Sequence, residues 1–274
     1  MTLRSLLPAA GLLGVLATSL PAQQASGSGY VWAFRDVTFS ACVDFLMDRK
    51  MAEKQLEAGY QVVPAGSFTA LSPVLGREIE GDSVRSALIA TQVCVIEAPT
   101  MNSGDGLYSP TKKMGSREAV AYWAIAGMRS GGTPRFDQWI VVDYWTNDWQ
   151  VRKQTESAFV PASTFKRSLA PVPESNRHTY SMAFGKTVLS WTGELVGRDS
   201  TASTAQRSAT QVFEGKRTIK WTATLSAAPQ WTRYLPGVFH VEGKDDLAKA
   251  LKASPIRMFG PMEWGGDARI VFTR

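Results

Sequence analysis

The residues of this chain with the most chemical potential are an adjacent lysine pair, Lys112-Lys113, in a stretch that holds several glycines and Pro110. A lysine adds to a carbonyl only as the free amine. A second cation beside it disfavours protonation, and partial burial does the same, so the pair is a candidate Schiff-base nucleophile with a neighbour that lowers its pKa. The competing reading is two solvated cations on an exposed loop. A second spacing with chemical meaning is Ser163-Thr164-Phe165-Lys166. On a helix it would set a hydroxyl and an amine on one face, where the amine can activate the nucleophile. His178 and His240 are the only histidines, and neither lies in a metal-ligand pattern, so no metal site and no cofactor are expected. Asp143 is either an inward carboxylate or the solvent-side residue of a strand. G-x-S-x-G, G-x-G-x-x-G and the P-loop pattern are absent, so nucleotide binding has no support.

The Ser163–Lys166 spacing resembles the S-x-x-K element of serine β-lactamases and penicillin-binding proteins. A helix there would meet Pro171 and Pro173 within two turns, and the K-T-G and S-D-N companions are missing, so that reading is set aside.

The N-terminus bears on where any chemistry happens. Residues 1–22 read as a secretory signal peptide, with Arg4 as the positive region and Gly11–Leu16 as the apolar core. Ala17, Ser19 and Ala22 supply small residues for cleavage before Gln23. The alternative is an N-terminal membrane anchor, although Pro8 interrupts the segment and its apolar core is short. The expected location is the periplasm or the extracellular space. Cys42 and Cys94, the only two cysteines, are then expected to form a disulfide, the alternative being two buried thiols.

Removing residues 1–22 leaves 252 residues with a net charge of +5, enough chain for one full core. The basic residues are scattered in separate pairs such as Arg152-Lys153 and Lys216-Arg217, so they read as solvated edges, and no nucleic-acid partner is expected. No later stretch is apolar enough to cross a membrane. No composition shift marks a boundary, which gives a single β-rich domain over residues 23–274.

The elements that would position these residues are mostly strands. Tyr30–Phe39 is aromatic and β-branched. From a Ser40 cap, Val43, Leu46, Met47, Met51 and Leu56 recur at helical spacing up to Gly59, which predicts the one prominent helix of the chain. Tyr60–Val63, Leu88–Glu97, Ala119–Ala126, Trp139–Trp145, Thr187–Val196 and Ala268–Thr273 read as strands. Thr218–Ser226 is the clearest of them, with Ile219, Trp221, Ala223 and Leu225 alternating against polar partners. Asp246–Ala253 reads as a short helix. Pro161–Asn176 reads as irregular. The expected fold class is α+β, mainly antiparallel, with a barrel-like or strongly curved sheet; a two-sheet sandwich remains open.

The segment Tyr108-Ser109-Pro110-Thr111-Lys112-Lys113-Met114-Gly115 resembles the lysine-pair segment of the acetoacetate decarboxylase family. The early strand, the helix and the Gly59-Tyr60 turn are arranged like the start of that family, and the chain length fits its single β-rich barrel. The resemblance implies that Lys112 is the Schiff-base lysine and Lys113 its pKa-lowering neighbour. The proline stands one residue further from the pair than in that family.

Three functions follow. Aromatic residues on alternating strands point first to non-catalytic binding of a small, partly apolar ligand in a barrel-like cavity. The alternative is an acetoacetate decarboxylase-like lyase using Lys112. The third is a structural or envelope-interaction protein, which would expose aromatic patches.

Overall fold

The computed structural model describes residues 30–35, 39–98, 100–103, 118–146, 162–163, 165–194, 208–215, 219–226, 237–263 and 269–273. The centre of the molecule is a run of long strands: β2 (Phe39–Met47), β4 (Ile89–Ala98), β6 (Glu118–Arg129) and β7 (Gln138–Thr146), paired antiparallel in that order. From Ile89 to Ile96 and from Val120 to Ala126 every residue is buried. A strand buried on both faces needs cover on both faces, which is why these segments read as continuous apolar runs rather than as alternation.

The large sheet continues on either side. β15 (Arg257–Glu263) pairs with β2. Beyond β7 come β12 (Ser208–Gly215), β13 (Ile219–Ser226), β16 (Arg269–Thr273), β1 (Tyr30–Arg35) and β5 (Thr100–Ser103). The short β3 (Tyr60–Val62) pairs with the end of β6, and β8 (Ala162–Ser163) pairs with β7. The pairing is antiparallel except at β7–β12 and β7–β8.

A second, four-stranded sheet has the order β14 (Gly237–Glu242), β11 (Thr187–Glu194), β10 (Arg177–Phe184), β9 (Phe165–Pro171). Here burial alternates. Tyr180, Met182, Phe184, Leu189 and Trp191 are inward, while residues between them are half-exposed. The inward rings meet the large sheet. Trp191 lies 4.4 Å from Phe259, Tyr180 lies 5.1 Å from Phe259, and Phe184 lies 5.1 Å from Trp145, centroid to centroid. Each such ring, removed from water, contributes about 1.5–3 kcal/mol. The Trp191 indole lies flat across Gly193 and Gly237. A Cβ at either glycine would overlap its ring, so the close approach requires glycine.

The helices are short. α1 (Arg49–Gln55) starts at Asp48, whose carboxylate accepts from the Lys50 and Met51 N–H groups. α2 (Pro73–Ile79) is capped by Ser72, and α3 (Ser83–Ser86) by Asp82. α4 (Asp246–Ala253) covers β2, β11 and β14 with Leu247, Ala248, Ala250 and Leu251. Its cap Asp245 accepts from Ala248 N–H and from the Thr187 hydroxyl.

Three expectations are corrected. The prominent helix from Ser40 to Gly59 does not form: Phe39–Met47 is strand β2, and α1 has only seven residues. The apolar positions fit a helical period because β2 is buried on both sides: Ala41, Val43 and Phe45 serve one face and Leu46 the other. The barrel also does not close among the described residues. The large sheet is an open path that ends at β15 and β5. The strand expected from Thr187 lies instead in the separate sheet, as β11 beside β10 and β14, while Thr218–Ser226 lies in the large sheet as β13. Pro161–Asn176, expected to be irregular, contains β8 and β9. The Ser163–Lys166 segment is therefore strand at both ends, and no helix brings that hydroxyl and amine to one face.

Candidate functional site

Register decides which side chains share a face of the large sheet. Phe259, Val43, Val93 and Trp123 lie opposite one another across β15, β2, β4 and β6, on the face that receives the rings of the second sheet. The residues between them project to the other side. One row there is Met258, Asp44, Gln92 and Ala124, and the next is Gly260, Cys42, Cys94 and Tyr122.

That face buries a polar cluster. Asp44 is 6% exposed, Gln92 5% and Tyr122 6%. Cys42 and Cys94, directly opposite in the register, form a disulfide with Cα atoms 4.1 Å apart, closing a separation of 52 residues. Gln92 Oε1 lies 3.5 Å from Cys94 Sγ. A disulfide sulfur has no proton to donate, so this is a contact rather than a hydrogen bond. Gln92 Nε2 is buried and has no hydrogen-bond partner among the described residues. Such a group carries an uncompensated desolvation cost.

Asp44 is the electrostatic centre of the cluster. Burial pushes its carboxyl up from the ordinary 3.8 to about 6, against a hydrogen bond from the Ser72 side chain that lowers it. Ser72 Oγ also accepts from Leu75 N–H as the cap of α2, so its own proton is the one directed to Asp44. Burial, reinforced by the Asp44 charge, holds the Tyr122 hydroxyl well above the ordinary tyrosine range. Near neutral pH this face therefore holds one carboxyl that exchanges its proton, one neutral phenol and one carboxamide. A carboxyl that titrates near pH 6 can serve as both proton donor and proton acceptor.

A β-bulge shapes the rim. Trp123 pairs with Asp143 but Ala124 pairs with Val141, which leaves Val142 as an extra residue in β7. The bulge brings Val141 into the Asp44–Gln92–Ala124 row and sends Asp143 to the Trp123 side. Asp143 Oδ1 accepts from Tyr144 N–H there, so it is not part of the polar cluster. A shallow groove lies beside the bulge, lined by Gln55, Leu56, Tyr60 and Ile140–Val142. Bulges often re-aim strands next to functional sites.

The residues expected from sequence are placed as follows. The Cys42–Cys94 disulfide is formed. Lys112 and Lys113 lie outside the described residues, as does the N-terminal segment expected to be a signal peptide. His178 lies on β10 of the second sheet, and His240 is exposed with Nε2 3.1 Å from Glu242 Oε1. Among the described residues no group of three or more His, Cys, Asp or Glu side chains could hold a metal ion. No described helix is long and apolar enough to cross a membrane. Asp44, Gln92, Tyr122 and Ser72 were not anticipated. The signal for Asp44 was a single carboxylate inside the apolar run Phe39–Met47.

No protein-family model matches the chain, and no curated protein matches it. Among solved structures, it is similar to an acetoacetate decarboxylase-like enzyme from Sphingomonas wittichii RW1, with 12% identity over 89% of this chain and 93% of that one, at a TM-score of 0.43. It is also similar to the enduracididine biosynthesis enzyme MppR complexed with pyruvate, with 13% identity over 92% of this chain and 90% of that one, at a TM-score of 0.47. Against the acetoacetate decarboxylase from Legionella pneumophila the identity is 9% over 97% of this chain and 99% of that one, with a TM-score of 0.42.

Proposed function

We propose that the chain is a lyase-like enzyme that acts on a small β-keto acid through a Schiff base at Lys112. Lys113, adjacent in sequence, would favour the free amine of Lys112 by like-charge repulsion. The observation that favours catalysis over passive binding is the buried cluster on the face of β2, β4 and β6 that points away from the second sheet. An apolar ligand cavity has no use for Asp44, whose burial carries a large free-energy cost, nor for a carboxamide beside it whose N–H has no partner among the described residues. Groups perturbed by burial next to convergent polar partners are what proton-transfer sites require. An interaction protein would present exposed rings. The exposed large apolar side chains among the described residues are Val84, Phe136 and Val238, only one of them aromatic. The disulfide between two central strands supports the proposal that the chain is exported to an oxidising compartment.

The test is turnover. The purified protein, incubated with small β-keto acids, is expected to release carbon dioxide, and Lys112→Met is expected to abolish that release. Saturable ligand binding with no turnover of any β-keto acid would return the protein to the binding class.

A further inference from the structure

We propose that the Cys42–Cys94 disulfide is a thiol-exchange site, at which a dithiol attacks Cys42 and Cys94 departs toward Gln92. Every residue involved lies on β2 or β4, and none of the chemistry depends on Lys112. The two sulfurs stand in unequal surroundings. Cys42 is partly exposed, whereas Cys94 is 1% exposed, inside the run buried from Ile89 to Ile96. Exchange begins when a thiolate reaches one sulfur of the bond, so access selects the sulfur attacked and makes the other the leaving group. Here access selects Cys42 for attack and Cys94 for departure.

Departure into a buried site is costly, because burial disfavours a thiolate. Gln92 offsets that cost. It lies two residues from Cys94 on the same face of β4, is 5% exposed, and its Nε2 has no hydrogen-bond partner among the described residues. Its Oε1 lies 3.5 Å from Cys94 Sγ. A half-turn of the amide about its last side-chain bond brings the N–H to the place of the oxygen, where it can donate to the departing thiolate. Once that sulfur is protonated, its S–H can donate to Oε1 in the present orientation. The oxidised pair offers Gln92 no proton, while a reduced Cys94 gives the amide a partner in either protonation state. Gln92 therefore favours the opened bond over the closed one. Asp44 stands directly opposite Gln92, so opening the disulfide also changes what holds the cross-strand partner of Asp44.

The step balances with the dithiol as reductant. Its first thiolate attacks Cys42 Sγ and forms a new S–S bond. The Cys42–Cys94 bond breaks, and its electron pair leaves on Cys94, which takes a proton from water. The second thiolate of the reagent then attacks the reagent's own sulfur in the mixed disulfide. Cys42 leaves as a thiolate and takes a proton in turn. The dithiol ends as a disulfide, oxidised by two electrons, and the protein holds two thiols.

The experiment uses the full oxidised chain at one fixed pH, with dithiothreitol as the probe and mass spectrometry to count reduced protein after acid quenching. The rate is expected to rise linearly with dithiothreitol and to be unchanged by urea below the unfolding transition, because attack occurs on the folded protein. A rate that levels off with dithiothreitol and climbs steeply with urea would show that the bond opens only on unfolding, and would overturn the proposal. The direction of attack is read in single-cysteine variants. With a chromogenic aromatic disulfide, the Cys42 thiol of Cys94→Ser is expected to react at least about tenfold faster than the Cys94 thiol of Cys42→Ser. Equal rates, or the reverse order, would overturn Cys42 as the attacked sulfur. Gln92→Met keeps the length of the side chain and removes the N–H, and is expected to slow reduction of the disulfide by about tenfold. A merely structural role would alter urea stability and leave the second-order rate constant in place, and that result would overturn the role of Gln92.

Discussion

Replacing Asp44 with asparagine should make the protein more stable at neutral pH and leave it nearly unchanged in acid. The magnitude follows from the carboxyl's environment. Burial raises its pKa from 3.8, the value expected in the unfolded chain, to about 6 in the folded protein. Between those two values the folded state holds the proton and the unfolded state has lost it. The unfolded state binds fewer protons there, so stability falls as pH rises through that window. At about 1.36 kcal/mol per pH unit, the interval corresponds to roughly 3 kcal/mol of stability present below pH 3.8 and absent above pH 6. Asparagine has the same shape and no proton to lose. The assay is urea unfolding of wild type and Asp44→Asn across pH 3.5–7.5, taking the difference between the two at each pH so that other carboxylates cancel. The variant should gain about 3 kcal/mol on wild type over that range. A difference that stays constant would show that Asp44 is not held in a desolvated site, and the reasoning about the buried polar cluster would fail. A gain from removing the group is also the pattern expected where stability has been given up for function.

Two further outcomes test the fold that holds the site. Gly237→Ala places a methyl group into the Trp191 indole, so the ring or β14 must shift, at a cost of about 3 kcal/mol, and near-ultraviolet dichroism of the buried indole should change; an unaltered melting temperature would contradict the packing of the second sheet. Replacing Cys42 and Cys94 together by alanine opens a crosslink of 52 residues and should cost about 4 kcal/mol under oxidising conditions. The same pair of substitutions should leave stability unchanged relative to reduced wild type, and a large loss there would mean that the two cysteines act mainly through packing.

Much of the sheet was legible because its strands carry strong local signals. β4, β6 and β7 are apolar runs of the right length, and β13 alternates with period two. α4 is bounded by an Asp245 cap at its start and Pro255 after its end, and it was read with its observed limits. β2 was not legible for a definite reason. A strand buried on both faces satisfies a helical spacing as well as a strand one, and its identity is fixed only by β4 and β15 on either side. That error hid the site. On a helix Asp44 is simply a polar residue on the wet face. On β2 it shares a face with Cys42 and stands opposite Gln92, where only long-range register places it. The division into two sheets was likewise invisible, because alternation in β10 and β11 says that one face is buried but not what buries it. The Cys42–Cys94 pairing was legible because two cysteines allow one intrachain bond.

The most direct measurement is covalent capture of the lysine. The full-length protein is incubated with a small β-keto acid, reduced with borohydride, digested, and mapped by mass spectrometry. The account predicts one reduced adduct, on Lys112, that does not form when Lys112→Met is treated identically. An unmodified Lys112 peptide after reduction, under conditions in which the β-keto acid is consumed, would contradict it.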